Sequence, residues 1–167
     1  TISTATGGNF EKLVPDNGHP AVTTITDSID TTTVKLSTTD TAITEGGQIT
    51  YTATLSNEAH APVTVTLSNG QVITIDAGKT TGTVVFQTQV NDVYNNGSTV
   101  STTITTATGG NFEKLVPDNT NPPTTVISDS IDTTTVTLST TDTAITEGGQ
   151  ITYTATLSNE AHAPVTV

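Results

Sequence analysis

The side chains best equipped for chemistry in this sequence are carboxylates, and their positions indicate which chemistry. Sixteen acidic residues stand against four Lys and no Arg, for a formal net charge of −12. Four of the acids, Glu45, Asp92, Asp129 and Asp132, fall in turn-forming stretches with no Lys close by in sequence. If those turns share one end of a domain, the like charges repel by several kcal/mol once partly desolvated, and a cation is needed among them. Oxygen ligands at a flexible junction suit Ca²⁺, whereas Mg²⁺ demands a tighter octahedron and Zn²⁺ prefers His or Cys. The stretch Asp129-Ser130-Ile131-Asp132 carries two carboxylates three residues apart. On a straight strand they point to opposite faces, but both can ligate when the backbone wraps an ion. Loops at the opposite end of a following domain would add oxygens, with Glu58, Asp76, Glu113 and Asp118 as candidates. The plainer alternative is that all of these are solvated turn and cap residues.

The elements that must position these acids are strands. Thr supplies 44 of the 167 residues, with many Val and Ile, and such β-branched residues pack well on a pleated surface. No sustained helical spacing of apolar residues occurs. Period-2 alternation bounded by turn residues predicts seven strands over one stretch. They fall at 34–44 (interrupted near 38–40), 48–56, 63–67, 71–75, 80–90, 99–106 and 124–128, with a long loop over 107–121. The expected fold is all-β: tandem immunoglobulin-like β-sandwich domains of about seven antiparallel strands, joined end to end. Ile49, Tyr51, Leu55, Val63, Val65, Val72, Ile73, Val84, Phe86, Val100 and Ile104 are the expected core. An odd number of up-and-down strands sends the termini to opposite ends, so copies would stack as a rod, each adding roughly 40 Å. The same parity sorts Glu45, Asp92, Asp129 and Asp132 to one end.

The chain also repeats itself. Residues 1–65 align without a gap to 103–167, and 57 of those 65 positions are identical. A period of 102 residues is long for a solenoid rung and suits an autonomous domain. The expected organisation is 1–30 as the end of a preceding repeat, 31–132 as a complete repeat, and 133–167 as the start of the next. With no initiating Met and no long apolar run, the chain is read as a segment of a larger protein. Near-verbatim copying of a whole domain serves reach and spacing better than catalysis.

Other signals carry less. Cys is absent, so neither disulfides nor thiolate metal sites contribute. His60 and His162 share one loop position, and lone loop histidines are usually structural. Asn96-Gly97-Ser98 matches a glycosylation sequon but reads better as a turn. Gly109-Gly110-Asn111-Phe112 opens no helix and is not a phosphate loop. Thr-x-Thr runs would lie on a twisted outer face, so no direct ice contact is expected. The negative field argues against nucleic acid and against direct membrane contact. No nucleophile–base or acid–base arrangement emerges, and the chain is not expected to be an enzyme.

The sequences ATGGNFEKLVPDN, DSIDTTTVTLSTTDTAITEGGQITYTATL and VTVTLSNGQVITIDAGKTTGTV resemble the bacterial immunoglobulin-like extender repeats of giant RTX adhesins, a group with biofilm and ice-binding members. The resemblance covers all 167 residues and is most specific at the Glu-Gly-Gly turn and the Asp-Ser-Ile-Asp linker. It implies a Ca²⁺-rigidified stalk, exported by type I secretion and projecting a distal ligand-binding region from the bacterial cell surface. It also implies Ca²⁺ at domain junctions, carried over here to Glu45, Asp92, Asp129 and Asp132 and to their partial copies Asp27, Asp30 and Glu147. The implied partners are neighbouring repeats of the same chain, and the ligand of the whole adhesin lies outside this segment. The main alternative is a multivalent module whose loops bind carbohydrate or another cell. Only Tyr94 and the Phe112 loop offer aromatics for that.

Overall fold

Alternation of β-branched residues produces strands almost wherever the sequence carries it. In the computed structural model, which describes residues 1–167, twelve strands form and there is no helix. They are β1 (Thr31–Thr38), β2 (Ala42–Thr44), β3 (Gln48–Leu55), β4 (Val63–Leu67), β5 (Val72–Ile75), β6 (Thr81–Gln87), β7 (Ser98–Ser101), β8 (Ile104–Gly109), β9 (Lys114–Asp118), β10 (Thr124–Ser128), β11 (Val136–Ser139) and β12 (Thr154–Leu157). The sheets run β6-β3-β1-β9, β5-β4-β8, β2-β10-β7 and β11-β12.

The first two sheets enclose the core of an all-β sandwich. Along β3, Ile49, Tyr51, Ala53 and Leu55 are buried while Gln48, Thr50 and Thr54 face solvent. Val34 and Leu36 of β1 join them, and Val63, Val65, Leu67, Ile73, Ile75 and Ile104 face them from the other sheet. Each fully buried aliphatic side chain contributes roughly 1.5–3 kcal/mol. The hydroxyl of Tyr51 reaches Thr102 Oγ1 at 2.8 Å, and neither residue is more than 1% exposed. The expected core includes both Val72 and Ile73, but neighbouring residues of a strand face opposite ways, and only Ile73 is buried while Val72 is 48% exposed.

Two of the seven expected strands are each built from two segments in different sheets, the first from β1 into β2 and the sixth from β7 into β8. The last expected strand is β10 alone, and β9, in another sheet, leads into it from within the expected loop. Asp40 makes the first crossing. Its carboxylate accepts from Thr50 N at 2.7 Å in place of a ladder bond to β3, while its carbonyl accepts from Thr125 Oγ1 at 2.5 Å beside β10. At the last crossing Asn119 serves both backbone groups of Ile104, accepting from its N and donating to its O at 2.9 Å each. Asn17 does the same for Ile2, so this device is local.

The antiparallel expectation needs correcting in two places, because β1 pairs β9 and β2 pairs β10 in parallel. The cause is parity: first and last of an odd set of up-and-down strands run the same way, and here they are neighbours. The expected loop over 107–121 likewise holds the end of β8 and all of β9. Pro117 tolerates this because β9 is an edge strand. In residues 133–167, β11 and β12 repeat the β1–β3 register, Val136 opposite Leu157 as Val34 is opposite Leu55. Leu138 and Tyr153 are exposed there, whereas Leu36 and Tyr51 are buried, because no counterpart of β4 and β5 covers them.

Candidate functional site

The turn after β2, the loop between β6 and β7, and the stretch after β10 meet at one end of the sandwich. Glu45 N donates to Ser128 O at 2.9 Å, and Gly46 N donates to Gln89 O at 2.7 Å. Gly46 holds φ at 75°, a conformation that favours glycine, and a Cβ there would lie 3.6 Å from Asn91 N. This turn aims the Glu45 side chain inward, and the residue is only 5% exposed.

What surrounds Glu45 is oxygen. Its Oε1 accepts from Ser130 N at 3.2 Å and lies 3.3 Å from Ser130 Oγ. Ser130 Oγ also touches Asn91 Oδ1 and stands 3.2 Å from Asp132 Oδ2. Asn91 Nδ2 donates to that same Asp132 oxygen at 2.8 Å. One hydroxyl proton cannot serve three acceptors at once. Glu45 Oε2 is buried with no donor at all, an arrangement that costs about 1–3 kcal/mol for a neutral group and more for a charged one. No Lys takes part in a salt bridge here or elsewhere in the chain.

Asp92 and Asp129 form a second group beside the first. Asp92 Oδ1 accepts from Tyr94 N at 2.8 Å and its Oδ2 from Asn96 Nδ2 at 2.9 Å, which shapes the loop. Asp129 Oδ1 accepts from Asn96 N at 3.1 Å. Asn96, the residue of the sequon, is exposed and is tied into the loop through both its backbone N and its side chain. Asp129, Ser130 and Asp132 line a cleft of about 280 Å³ together with Tyr94.

The three partial copies are placed differently. Asp30 N donates to Glu113 Oε2 at 2.5 Å at the opposite end of the sandwich. Asp27 and Glu147 are exposed and take no part in the hydrogen bonds of the cluster. Of the oxygens expected from near-end loops, Glu58 and Glu113 join Asp30 and His60 around a cleft of about 520 Å³, but Asp76 and Asp118 do not. Asp118 instead accepts from Thr120 Oγ1 at 2.7 Å and from Thr120 N at 3.1 Å. Those bonds, with a smaller pull from Lys35, hold its carboxyl below the usual carboxylate range against some desolvation. No group of three or more His, Cys, Asp or Glu side chains stands ready to hold a metal ion. The Glu45 cluster has two acids, and its remaining oxygens come from an amide and a hydroxyl, both ordinary ligands of Ca²⁺ or its bound water.

Sequence reasoning missed two residues. Tyr94 and His162 stack with ring centroids 3.6 Å apart and planes 16° from parallel. Tyr94 also donates its hydroxyl proton to Glu160 O at 2.7 Å. The readable signal was that His60 and His162 recur at one loop position while Tyr94 sits on the turn facing the next copy.

The family model described as the LapA domain matches residues 30–130 and again residues 132–167, and the chain belongs to that family. Membership gives it an adhesin-related role at the cell surface and a structural, non-enzymatic character. A search of curated proteins finds no match.

Proposed function

We propose that this chain is part of a calcium-stiffened extender of a giant RTX adhesin. In this reading residues 31–132 are one repeat, with a preceding repeat ending at 30 and a following one beginning at 133. The carrying observation is Glu45 Oε2, a carboxylate oxygen buried without a donor among acceptors that share one proton. Glu45, Asn91, Ser130 and Asp132 would hold the ion, with Asp129 and Asp92 adding negative potential behind them. Bound Ca²⁺ supplies the positive charge this cluster lacks. The protein's own part is to fix the linker: Ser130 and Asp132 belong to the chain leaving the sandwich, so tying them to Glu45 and Asn91 fixes the direction in which the next repeat departs. Stabilisation follows mass action, about 2.7 kcal/mol when calcium is a hundredfold above its dissociation constant.

The wider reading follows from the family and the likeness of the repeats. Type I secretion, a biofilm or ice-binding parent adhesin, and a distal ligand-binding region all belong to the parent protein in this account. The carbohydrate-binding alternative is not favoured, since Tyr94 is engaged by His162 and Phe112 packs against the core. The test is chelation of the 167-residue chain. EGTA lowers the melting temperature and widens the distribution of shapes seen by small-angle scattering, and calcium restores both. Melting and scattering that ignore EGTA and calcium would overturn the reading.

A further inference from the structure

We infer that the cleft at the β1-entry end of the sandwich is a receptor for a tyrosine carried by the preceding repeat, so that consecutive repeats interlock through a Tyr–His stack. The inference rests on the reading of the chain as successive repeats, and it is independent of calcium.

The donor side is visible in full. Asp92 caps a short turn by accepting from Tyr94 N at 2.8 Å, and Gln89 Nε2 donates to Asn96 Oδ1 at 2.9 Å, tying the two legs of the loop together. The ring projects beyond the sandwich end and lies flat on His162, with its hydroxyl on Glu160 O. Both contacts join residues more than sixty positions apart, across the linker. One contact fixes where the tyrosine tip goes and the other fixes the plane of its ring, so together they restrict twist about the linker. Oxygens gathered around an ion tolerate varied angles and restrict twist less.

The receptor side is visible twice. Shifted back by the repeat period, Glu160 and His162 become Glu58 and His60. These two are exposed and line the cleft of about 520 Å³ with Asp30, Asn57, Phe112 and Glu113. The shape of this loop is preset: His60 N donates to Gly110 O at 3.0 Å, and Ala59 beneath it is wholly buried. Asn57 Nδ2 donates to Thr32 Oγ1 at 3.0 Å, and Asn159 Nδ2 donates to Thr134 Oγ1 at 3.2 Å, so both copies of the loop share one conformation. Residues 1–30 contain no counterpart of the 91–97 loop. Both histidines are exposed, and the one that has such a loop beside it, His162, carries a ring stacked on its face.

The test uses His60 and His162 as reporters, in chelator throughout. In the ¹H NMR spectrum of the 167-residue chain, ring protons of His162 are shifted upfield of those of His60 by the Tyr94 ring current. Tyr94→Ala brings His162 back to the His60 position, while Tyr94→Phe, which keeps the ring and loses only the hydroxyl, leaves it shifted. Placing a copy of residues 31–102 ahead of Thr1 restores the repeat in register, and His60 then moves upfield too. Coincident His60 and His162 signals in the 167-residue chain, or a His162 signal indifferent to Tyr94→Ala, would overturn the interlock. So would a His60 signal that the added copy does not move. Because chelator is present, none of these results depends on the ion.

Discussion

Glu45→Gln is expected to change the sign of its effect on stability when calcium is added. The substitution keeps the shape of the buried side chain and removes its charge. In the native cluster Ser130 Oγ lies 3.3 Å from Glu45 Oε1 and 3.2 Å from Asp132 Oδ2. Two carboxylates facing each other across one hydroxyl, roughly 6 Å apart, repel by about 3 kcal/mol at an effective dielectric constant of about 20. Asp132 is exposed, and solvent and salt reduce that repulsion to about 1 kcal/mol. The new amide also offers protons to a cluster short of them. In chelator, Glu45→Gln therefore stabilises the chain by about 1 kcal/mol, a rise of roughly 4–8 °C in melting temperature for a domain near 100 residues. With calcium the order reverses, because a tenfold weaker site retains only about 1.4 of the 2.7 kcal/mol gained at a hundredfold excess, and a still weaker one retains less. Thermal melts followed by circular dichroism, at matched ionic strength with EGTA or calcium, measure both differences. A variant less stable than wild type in EGTA that still gains as much from calcium would refute the argument.

Two further predictions concern the sandwich itself. Tyr51→Phe leaves the buried Thr102 hydroxyl without its 2.8 Å partner and costs about 1–3 kcal/mol in denaturant unfolding, whereas Tyr51→Phe with Thr102→Val loses less than the single change. A double variant as damaged as the sum of its parts would contradict this. Thr120→Ala removes the strongest influence on Asp118, so the Asp118 carboxyl moves up toward 3.8 in an NMR titration. Because the folded value is depressed, the linked stability is present above 3.8 and is lost as pH falls through the folded value, and the variant, which keeps the backbone bond from residue 120, loses part of that dependence. An Asp118 titration unchanged by Thr120→Ala would refute the assignment.

How much of this was legible in the sequence depended on whether the governing contact was local. β3 and β4 alternate strictly, and their buried faces could be read from the pattern of Ile49, Tyr51, Val63 and Val65. The dipeptide Asn69-Gly70 between the expected strands 63–67 and 71–75 is a local turn signal of the same kind, and of the two residues only Gly70 takes a positive φ. The break near 38–40 was readable, but the change of sheet was not, because Asp40 and Asn119 redirect the backbone by hydrogen bonds to residues 10 and 15 positions away. The strand β9 was hidden by Pro117, which argues against a strand unless it is known to lie on an edge. Parity alone brought Glu45 to Asp132, since it depends only on strand count. It could not foresee that Asn91 and Ser130 would be the links between them, because neither carries a charge that draws notice. The Tyr94–His162 stack stayed unseen because each residue, taken alone, is an ordinary loop residue.

The most direct measurement of the central claim is diffraction from crystals of this chain grown with calcium, recorded where calcium scatters anomalously. The account predicts an anomalous peak beside Glu45, within roughly 2.3–2.6 Å of its carboxylate oxygen and of oxygens from the 129–132 linker. Ordered density for Glu45 and Asp132 with no peak between them, or with a Lys ammonium in that place, would contradict it.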